Sequence, residues 1–162
     1  MSDLRVGMGY DVHAFVEGPP LVLGGVHIEH DMGLAGHSDA DVLAHALMDA
    51  ILGALRAGDL GALFPDTDPA FKDISSMELL TRVGTLAGEL GWRVLDADTV
   101  LVLEEPKIAP YRDSMRSTMA RHLGIAEECV GVKATTTEGL GFCGRSEGVA
   151  AYAVVMMERV VV

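Results

Sequence analysis

Leu4 to Phe15 and Pro20 to Ile28 read as two extended, hydrophobic segments separated by a Gly-Pro-Pro turn. Gly24-Gly25 interrupts the second and predicts a bulge or tight bend. The period then changes. Ser38, with Asp41 three residues on, has the form of a capping box, and Val42, Ala46, Leu47, Ala50, Ile51 and Leu55 recur at helical spacing up to the breaker Gly58. Ser75 and Glu78 repeat the start signal; Leu79, Leu80, Val83 and Leu86 keep the period, and Gly91 stops it. Thr99 to Leu103 predicts a buried strand, Pro110 to Leu123 a third helix stopped by Gly124, and Val130 to Ala134 and Val149 to Met157 further strands.

This ββ-α-α-β-α-β-β order predicts an α/β (α+β) sandwich of a single domain over 1–162, in which helices cover one face of a mixed four-stranded sheet beside a small β-hairpin. The last strand is apolar on both sides, so its second face needs a cover, and a neighbouring subunit is the simplest one. No repeat, low-complexity segment or linker interrupts the 162 residues, and 49% hydrophobic content is enough for one core.

A net charge of −12 argues against nucleic-acid or anionic-membrane partners, which need clustered cations to replace counterions. A phosphorylated substrate stays compatible with it if metal ions supply positive charge. The N-terminal residues lack the order of a signal peptide, and no apolar run reaches membrane-spanning length, so the expected location is the cytoplasm. Cys129 and Cys143 have neither metal nor redox spacing and read as reduced thiols without a role.

The chemistry-bearing pattern is Asp11-Val12-His13 together with His45. Residues two apart on a strand leave the same face, so Asp11 and His13 can converge on one ion, with His45 as the third ligand. Two imidazoles and one carboxylate with an open fourth position describe a catalytic zinc site. A single helical His is more often structural; the Asp-x-His fragment is what changes that weighting. Asp41 and Asp49 share the helical stripe of His45 and are candidates to orient its ring, although Asp41 reads equally well as a helix cap. The helix start beside His37 and Ser38 suits a phosphate. The acidic loop from Gly58 to Pro69 has the bland reading of a solvated turn region. In the run from Lys133 to Phe142, hydroxyls and amides can hold phosphate oxygens while Glu138 binds a hard cation, against an ordinary strand end.

Taken in order, Gly9-Tyr10-Asp11-Val12-His13-Ala14-Phe15, Leu23-Gly24-Gly25, Ala35-Gly36-His37-Ser38-Asp39-Ala40-Asp41, Gly58-Asp59-Leu60-Gly61, Phe64-Pro65-Asp66-Thr67-Asp68-Pro69, Pro106-Lys107, Lys133-Ala134-Thr135-Thr136-Thr137-Glu138 and Gly144-Arg145-Ser146-Glu147-Gly148 closely resemble the 2-C-methyl-D-erythritol 2,4-cyclodiphosphate synthases over nearly the whole chain. The resemblance implies a homotrimer with active sites between adjacent subunits, in the non-mevalonate route to isoprenoid precursors. It implies Zn²⁺ on Asp11, His13 and His45, and Mg²⁺ or Mn²⁺ on Glu138. It implies His37, Thr136 and Glu138 as the catalytic set, with His37 and Ser38 on the 2-phosphate and Asp59 and Gly61 on the methylerythritol hydroxyls. Phe64, Asp66 and Phe142 are implied as further substrate contacts. Pro106, Lys107, Ile108, Ala134, Thr135 and Thr136 would form the cytidine pocket from the neighbouring subunit. Arg145, implied among the substrate-binding residues, would lie with Glu147 near the trimer axis, where a channel could take an isoprenoid diphosphate. Glu104-Glu105 departs from the family pattern, in which a neutral residue is commoner, with little expected effect on nucleotide affinity. The implied reaction is an intramolecular phosphoryl transfer that expels CMP. The alternatives from other classes are a zinc-dependent phosphate-ester hydrolase and an isoprenoid-diphosphate-binding trimer.

Overall fold

The computed structural model describes residues 3–65 and 67–160. Its first strand, β1 (Leu4–Val16), is long because its two sides have different tasks: Val6, Met8, Tyr10 and Val12 point outward, while Gly7 and Gly9 face inward. The Gly18-Pro19-Pro20 segment then leads into β2 (Leu21–Leu23) and β3 (Val26–Ile28). Gly24 and Gly25, at φ 57° and 74°, make a two-residue turn between them. The irregularity expected within one extended segment is therefore a hairpin turn, the left-handed backbone being what glycine allows without a Cβ penalty.

Next come the two-residue strand β4 (Gly33–Leu34) and α1 (Val42–Leu55). Helix α1 starts at Val42 rather than Ser38. Asp41 is its cap, accepting from the Ala44 N–H, and the Ser38 hydroxyl turns back to Ala40 N instead. Helix α1 is buried on most of its circumference, from Val42 to Leu55, because it lies between the sheet and the remaining helices.

The short helix α2 (Leu60–Leu63) and the amphipathic α3 (Ser76–Glu89) follow. Strand β5 (Trp92–Val102) begins well before the predicted Thr99. A bulge at Leu95 breaks its alternation, and the outward Asp96 and Asp98 disguise the first half as a loop. Helix α4 (Arg112–Leu123) ends on Gly124 at φ 67° and is the crossover that lets β5 pair in parallel with β6 (Val130–Thr135). A second short helix, α5 (Gly141–Gly144), precedes β7 (Gly148–Arg159).

The main sheet has five strands in the order β4-β1-β7-β5-β6, with β2-β3 forming a separate pair. The expected count of four missed β4, which is too short to carry a periodic signal. All pairs in the main sheet are antiparallel except β5 with β6. Helices α1, α3 and α4 pack on one face, and their apolar residues join those of the sheet in a continuous core that includes Leu47, Ile51, Leu80, Leu101, Met115 and Val155. Trp92 is buried in it.

The opposite face is bare in the single chain. Val6 is 63% and Met8 70% exposed, and Tyr10, Tyr152 and Val154 are exposed beside them, with the two tyrosine rings 4.8 Å apart.

Candidate metal centre and flanking cavities

Strand β1 pairs with β7 through Asp11–Ala151 and His13–Val149, so Asp11 and His13 are held by a regular ladder and project toward α1. His45, in the first turn of α1, meets them there. His13 Nε2 lies 2.8 Å from Asp11 Oδ2, His45 Nδ1 lies 3.1 Å from the same oxygen, and the two ring nitrogens are 3.1 Å apart. One nitrogen from each imidazole and one carboxylate oxygen thus converge within the reach of a single ion.

The remaining ring nitrogens are occupied. His13 Nδ1 is 2.6 Å from the Ala35 carbonyl, to which it donates, and this fixes Nε2 as the inward nitrogen. His45 Nε2 sits 3.1 Å from the Ser38 hydroxyl and 3.0 Å from that of Ser76. Ser76 donates in turn to Asp39 Oδ1 at 2.5 Å, and its backbone N–H donates to Asp39 Oδ2. With this support, His13 Nε2 and His45 Nδ1 have partners only within the Asp11–His13–His45 group among the described residues, and the donor set fits a borderline divalent cation.

The acids expected to orient His45 do something else. Asp41 is wholly buried and accepts from the N–H groups of Gly24, Gly25 and Ala44, tying the hairpin turn to the start of α1. Asp49 accepts from the Leu60 N–H at 2.7 Å and anchors α2. Neither carboxylate bonds to the His45 ring, Asp41 meeting that residue only through its main-chain carbonyl, which accepts from the His45 N–H at 3.0 Å, so the hydroxyls of Ser38 and Ser76 take that task.

Burial acts to raise the Asp11 pKa, but hydrogen bonds from His13 and His45 outweigh it and hold the carboxyl well below the usual range. For His13, burial works against protonation, whereas the bond to Asp11 raises its pKa overall. The same field that favours a proton between these groups favours a cation in its place.

The three ligands lie at one side of a cavity of about 520 Å³, lined also by His37, Ser38, Gly61, Phe64, Asp49 and Phe71. Asp59 is exposed and caps α2 through its bond from Ala62 N, and it is not among the lining residues. Asp66 lies outside the described residues.

A second cavity, of about 270 Å³, is lined by Pro106, Lys107, Ile108, Ala134, Thr135 and Thr136, together with Leu103, Glu104 and Ala109. Glu138 is exposed on the adjoining turn and accepts from the Thr136 hydroxyl at 2.9 Å. Phe142 is exposed on α5, and Arg145 beyond it is paired with Glu147 through two contacts of 2.9 and 3.0 Å. The two cavities share no lining residue, and Glu138 lines neither of them.

Sequence reasoning missed Asp39, Ser76 and the Ala35 carbonyl as supports of the metal-facing histidines. Ser76 falls inside the predicted start of α3, where nothing local distinguishes it from a capping serine.

The chain matches the model of the YgbB family over residues 4–158. It is 58% identical to the 2-C-methyl-D-erythritol 2,4-cyclodiphosphate synthase of Syntrophobacter fumaroxidans, over 95% of this chain and 97% of that one. Among solved structures, the bifunctional IspDF from Campylobacter jejuni superposes with a TM-score of 0.93 at 46% identity, over 96% of this chain. This chain spans only 42% of that bifunctional one. A 2C-methyl-D-erythritol-2,4-cyclodiphosphate synthase in its CDP-bound form superposes with a TM-score of 0.87 at 38% identity, over 95% of this chain and 100% of that one.

Proposed function

Because this chain belongs to the YgbB family, we infer that it converts 4-diphosphocytidyl-2-C-methyl-D-erythritol 2-phosphate to 2-C-methyl-D-erythritol 2,4-cyclodiphosphate and CMP. The observation that carries this reading is the meeting of Asp11, His13 and His45 beside a cavity large enough for a folded phosphorylated sugar. The relatives are synthases, which favours cyclisation over hydrolysis or simple binding.

An oxygen of the substrate's own 2-phosphate attacks the β-phosphorus of the cytidine diphosphate arm. The bond from that phosphorus to the bridging oxygen breaks, and CMP leaves with the electron pair. No protein nucleophile is needed, so catalysis reduces to folding the substrate and neutralising charge. Well-oriented intramolecular groups reach effective molarities of about 10⁵ M or more, which makes positioning a large share of the acceleration.

Asp11, His13 and His45 hold Zn²⁺, and Glu138 holds Mg²⁺ or Mn²⁺. Bound there, the ions supply Lewis-acid stabilisation of charge building on phosphate oxygens. His37 and Ser38 grip the 2-phosphate, while Asp59, Gly61, Phe64 and Asp66 position the methylerythritol unit. Pro106, Lys107, Ile108 and the Ala134–Thr136 segment take the cytidine and its phosphates, and Thr136 and Glu138 join His37 in the catalytic set. Phe142 and Arg145 complete the substrate surroundings.

The working form is a homotrimer of single-domain subunits in the cytoplasm, with each active site built from the metal cavity of one subunit and the cytidine cavity of the next. Two features support this: the separation of the cavities within one chain, and the bare apolar face formed by β1 and β7. An isoprenoid diphosphate at the trimer axis, near Arg145 and Glu147, is a secondary part of the same reading. None of the described helices is long and apolar enough to cross a membrane.

Phosphorus NMR of the protein with the cytidylyl substrate, Zn²⁺ and Mg²⁺ tests the proposal. Release of CMP with a cyclic diphosphate is expected. Linear methylerythritol phosphates would replace the synthase reading with a hydrolase, and unchanged substrate on a folded, metal-loaded protein would leave only a binding role.

A further inference from the structure

Glu104 ends the β5 side of the second cavity, and its carboxylate is directed at a turn far along the chain. Oε1 accepts from the Thr137 N–H at 2.9 Å, from the Gly139 N–H at 3.3 Å and from the Thr137 hydroxyl at 3.3 Å. These two amides flank Glu138. Glu138 itself has φ 55°, a left-handed backbone that costs free energy for a residue with a Cβ and persists where neighbouring contacts over-determine it. The main-chain carbonyl of Glu104 accepts from Lys107 Nζ at 3.3 Å, so one residue joins the Pro106–Ile108 wall to the Glu138 turn.

A carboxylate beside a site for a diphosphate is electrostatically unfavourable, and a residue kept there needs a compensating task. Accepting from two amides of one turn and a hydroxyl is such a task, since a charged acceptor makes stronger bonds to N–H groups than a neutral one. The bonds hold the Thr137 and Gly139 peptides in one orientation, and the direction of the Glu138 Cα–Cβ bond follows from them.

We propose that Glu104 is a positioning residue for Glu138, clamping the turn so that the Glu138 carboxylate is presented to a divalent cation before substrate arrives. This rests on the reading of Glu138 as a cation ligand. Glu104 touches neither cation nor reacting atoms in it; it acts through the turn.

The test uses Zn²⁺-loaded protein with CDP and Mn²⁺ as probes, and two readouts: amide hydrogen exchange across 136–140 and Mn²⁺ affinity by electron paramagnetic resonance. In Glu104→Ala the Thr137 and Gly139 amides are expected to exchange at least tenfold faster, Mn²⁺ affinity to fall about tenfold, as for other groups that orient a metal ligand, and strand β6 to keep its protection. Glu104→Gln, which retains an acceptor oxygen at the same reach, should recover most of both signals. Glu104→Asp, one methylene short, should behave like the alanine variant and serves if that one does not fold.

Unchanged Mn²⁺ affinity in the alanine or aspartate variant overturns the proposal, as does a glutamine variant no better than alanine. Glu138→Gln separates the two levels of argument. If it leaves Mn²⁺ affinity intact, the cation role of Glu138 fails and the clamp with it. If it weakens Mn²⁺ while Glu104→Ala does not, only the clamp fails.

Discussion

A Cβ placed on Gly9 would stand 1.9 Å from the carbonyl oxygen of Ala46, far inside the 3.0 Å below which Cβ atoms essentially never approach a non-bonded heavy atom. Gly7 meets the Ala50 carbonyl at the same distance. Helix α1 therefore lies almost on the backbone of β1, and this spacing brings His45 to Asp11 and His13. Gly9→Ala must push the helix away from the strand. Overpacking costs about 1–3 kcal/mol and sometimes more, and a backbone clash belongs at the upper end. For a chain of this size about 3 kcal/mol lowers Tm by about 6–12 °C. A thermal melt should show that loss, and calorimetric titration of the surviving folded protein should show weakened Zn²⁺ binding.

Ser76→Ala addresses the support of His45. It removes one of the two hydroxyls at His45 Nε2 and leaves Asp39 Oδ1 without its short bond. Loss of a group that orients a metal ligand lowers affinity by about 10–100-fold. Zn²⁺ affinity should fall within that range, while the far-ultraviolet circular dichroism stays that of the parent. Unchanged affinity would assign the orientation of His45 to Ser38 alone.

Where the chain was readable from sequence, the reason was period. Helices α1, α3 and α4 each run for three turns or more and bury one stripe or nearly all their surface, so their apolar spacing is visible. The Leu95 bulge hid the start of β5 because one extra residue reverses which side chains face inward. Elements as short as β4, α2 and α5 carry no period at all. The same contrast holds at the metal centre. Asp11 and His13 were legible because strand geometry ties i to i+2. The spacing of Asp41 fits a cap and an orienting acid equally well, and burial against three amides makes it a cap and a tie to the hairpin. Ser76 reaches His45 across 31 residues of chain, and no local rule encodes such a contact. In the sequence Glu104 stands out only as a departure in charge, since its bonds to the Thr137 turn join residues that the β5–β6 pairing brings together.

Asp49 gives a pH-dependent prediction. Burial pushes its carboxyl above the ordinary 3.8, partly offset by the Leu60 N–H, so the folded state binds its proton more tightly than the unfolded chain does. Its favourable contribution is complete below 3.8 and is lost as pH rises through the folded value, leaving a charged carboxylate that costs stability at neutral pH. Asp49→Asn keeps an oxygen for Leu60 N and removes the charge. Its Tm should exceed that of the parent at pH 7, and the difference should vanish below about pH 4, where both side chains are neutral. A variant no more stable at pH 7 would mean that the carboxylate is solvated well enough to carry its charge without cost.

Assembly is tested on the face away from α1. Met8 is 70% exposed on β1, on the same surface as Val6, Tyr10, Tyr152 and Val154. A charge there meets only solvent in an isolated chain, so Met8→Glu should leave the Tm of a monomer within about 2 °C, because surface changes of this kind cost under about 0.5 kcal/mol. If the face is instead packed against two neighbours around an axis, three carboxylates are forced together in an apolar environment, where unpaired charge is strongly disfavoured. Sedimentation equilibrium should then show the parent as a trimer and the variant dissociated at micromolar concentration. Activity separates this from ordinary destabilisation. The metal cavity remains intact in a folded monomer, so Zn²⁺ binding should persist, whereas turnover should fall by orders of magnitude because the cytidine cavity of the neighbour is gone. A monomeric variant with full turnover would show that one chain closes both cavities around the substrate by itself, and would remove the intersubunit active site.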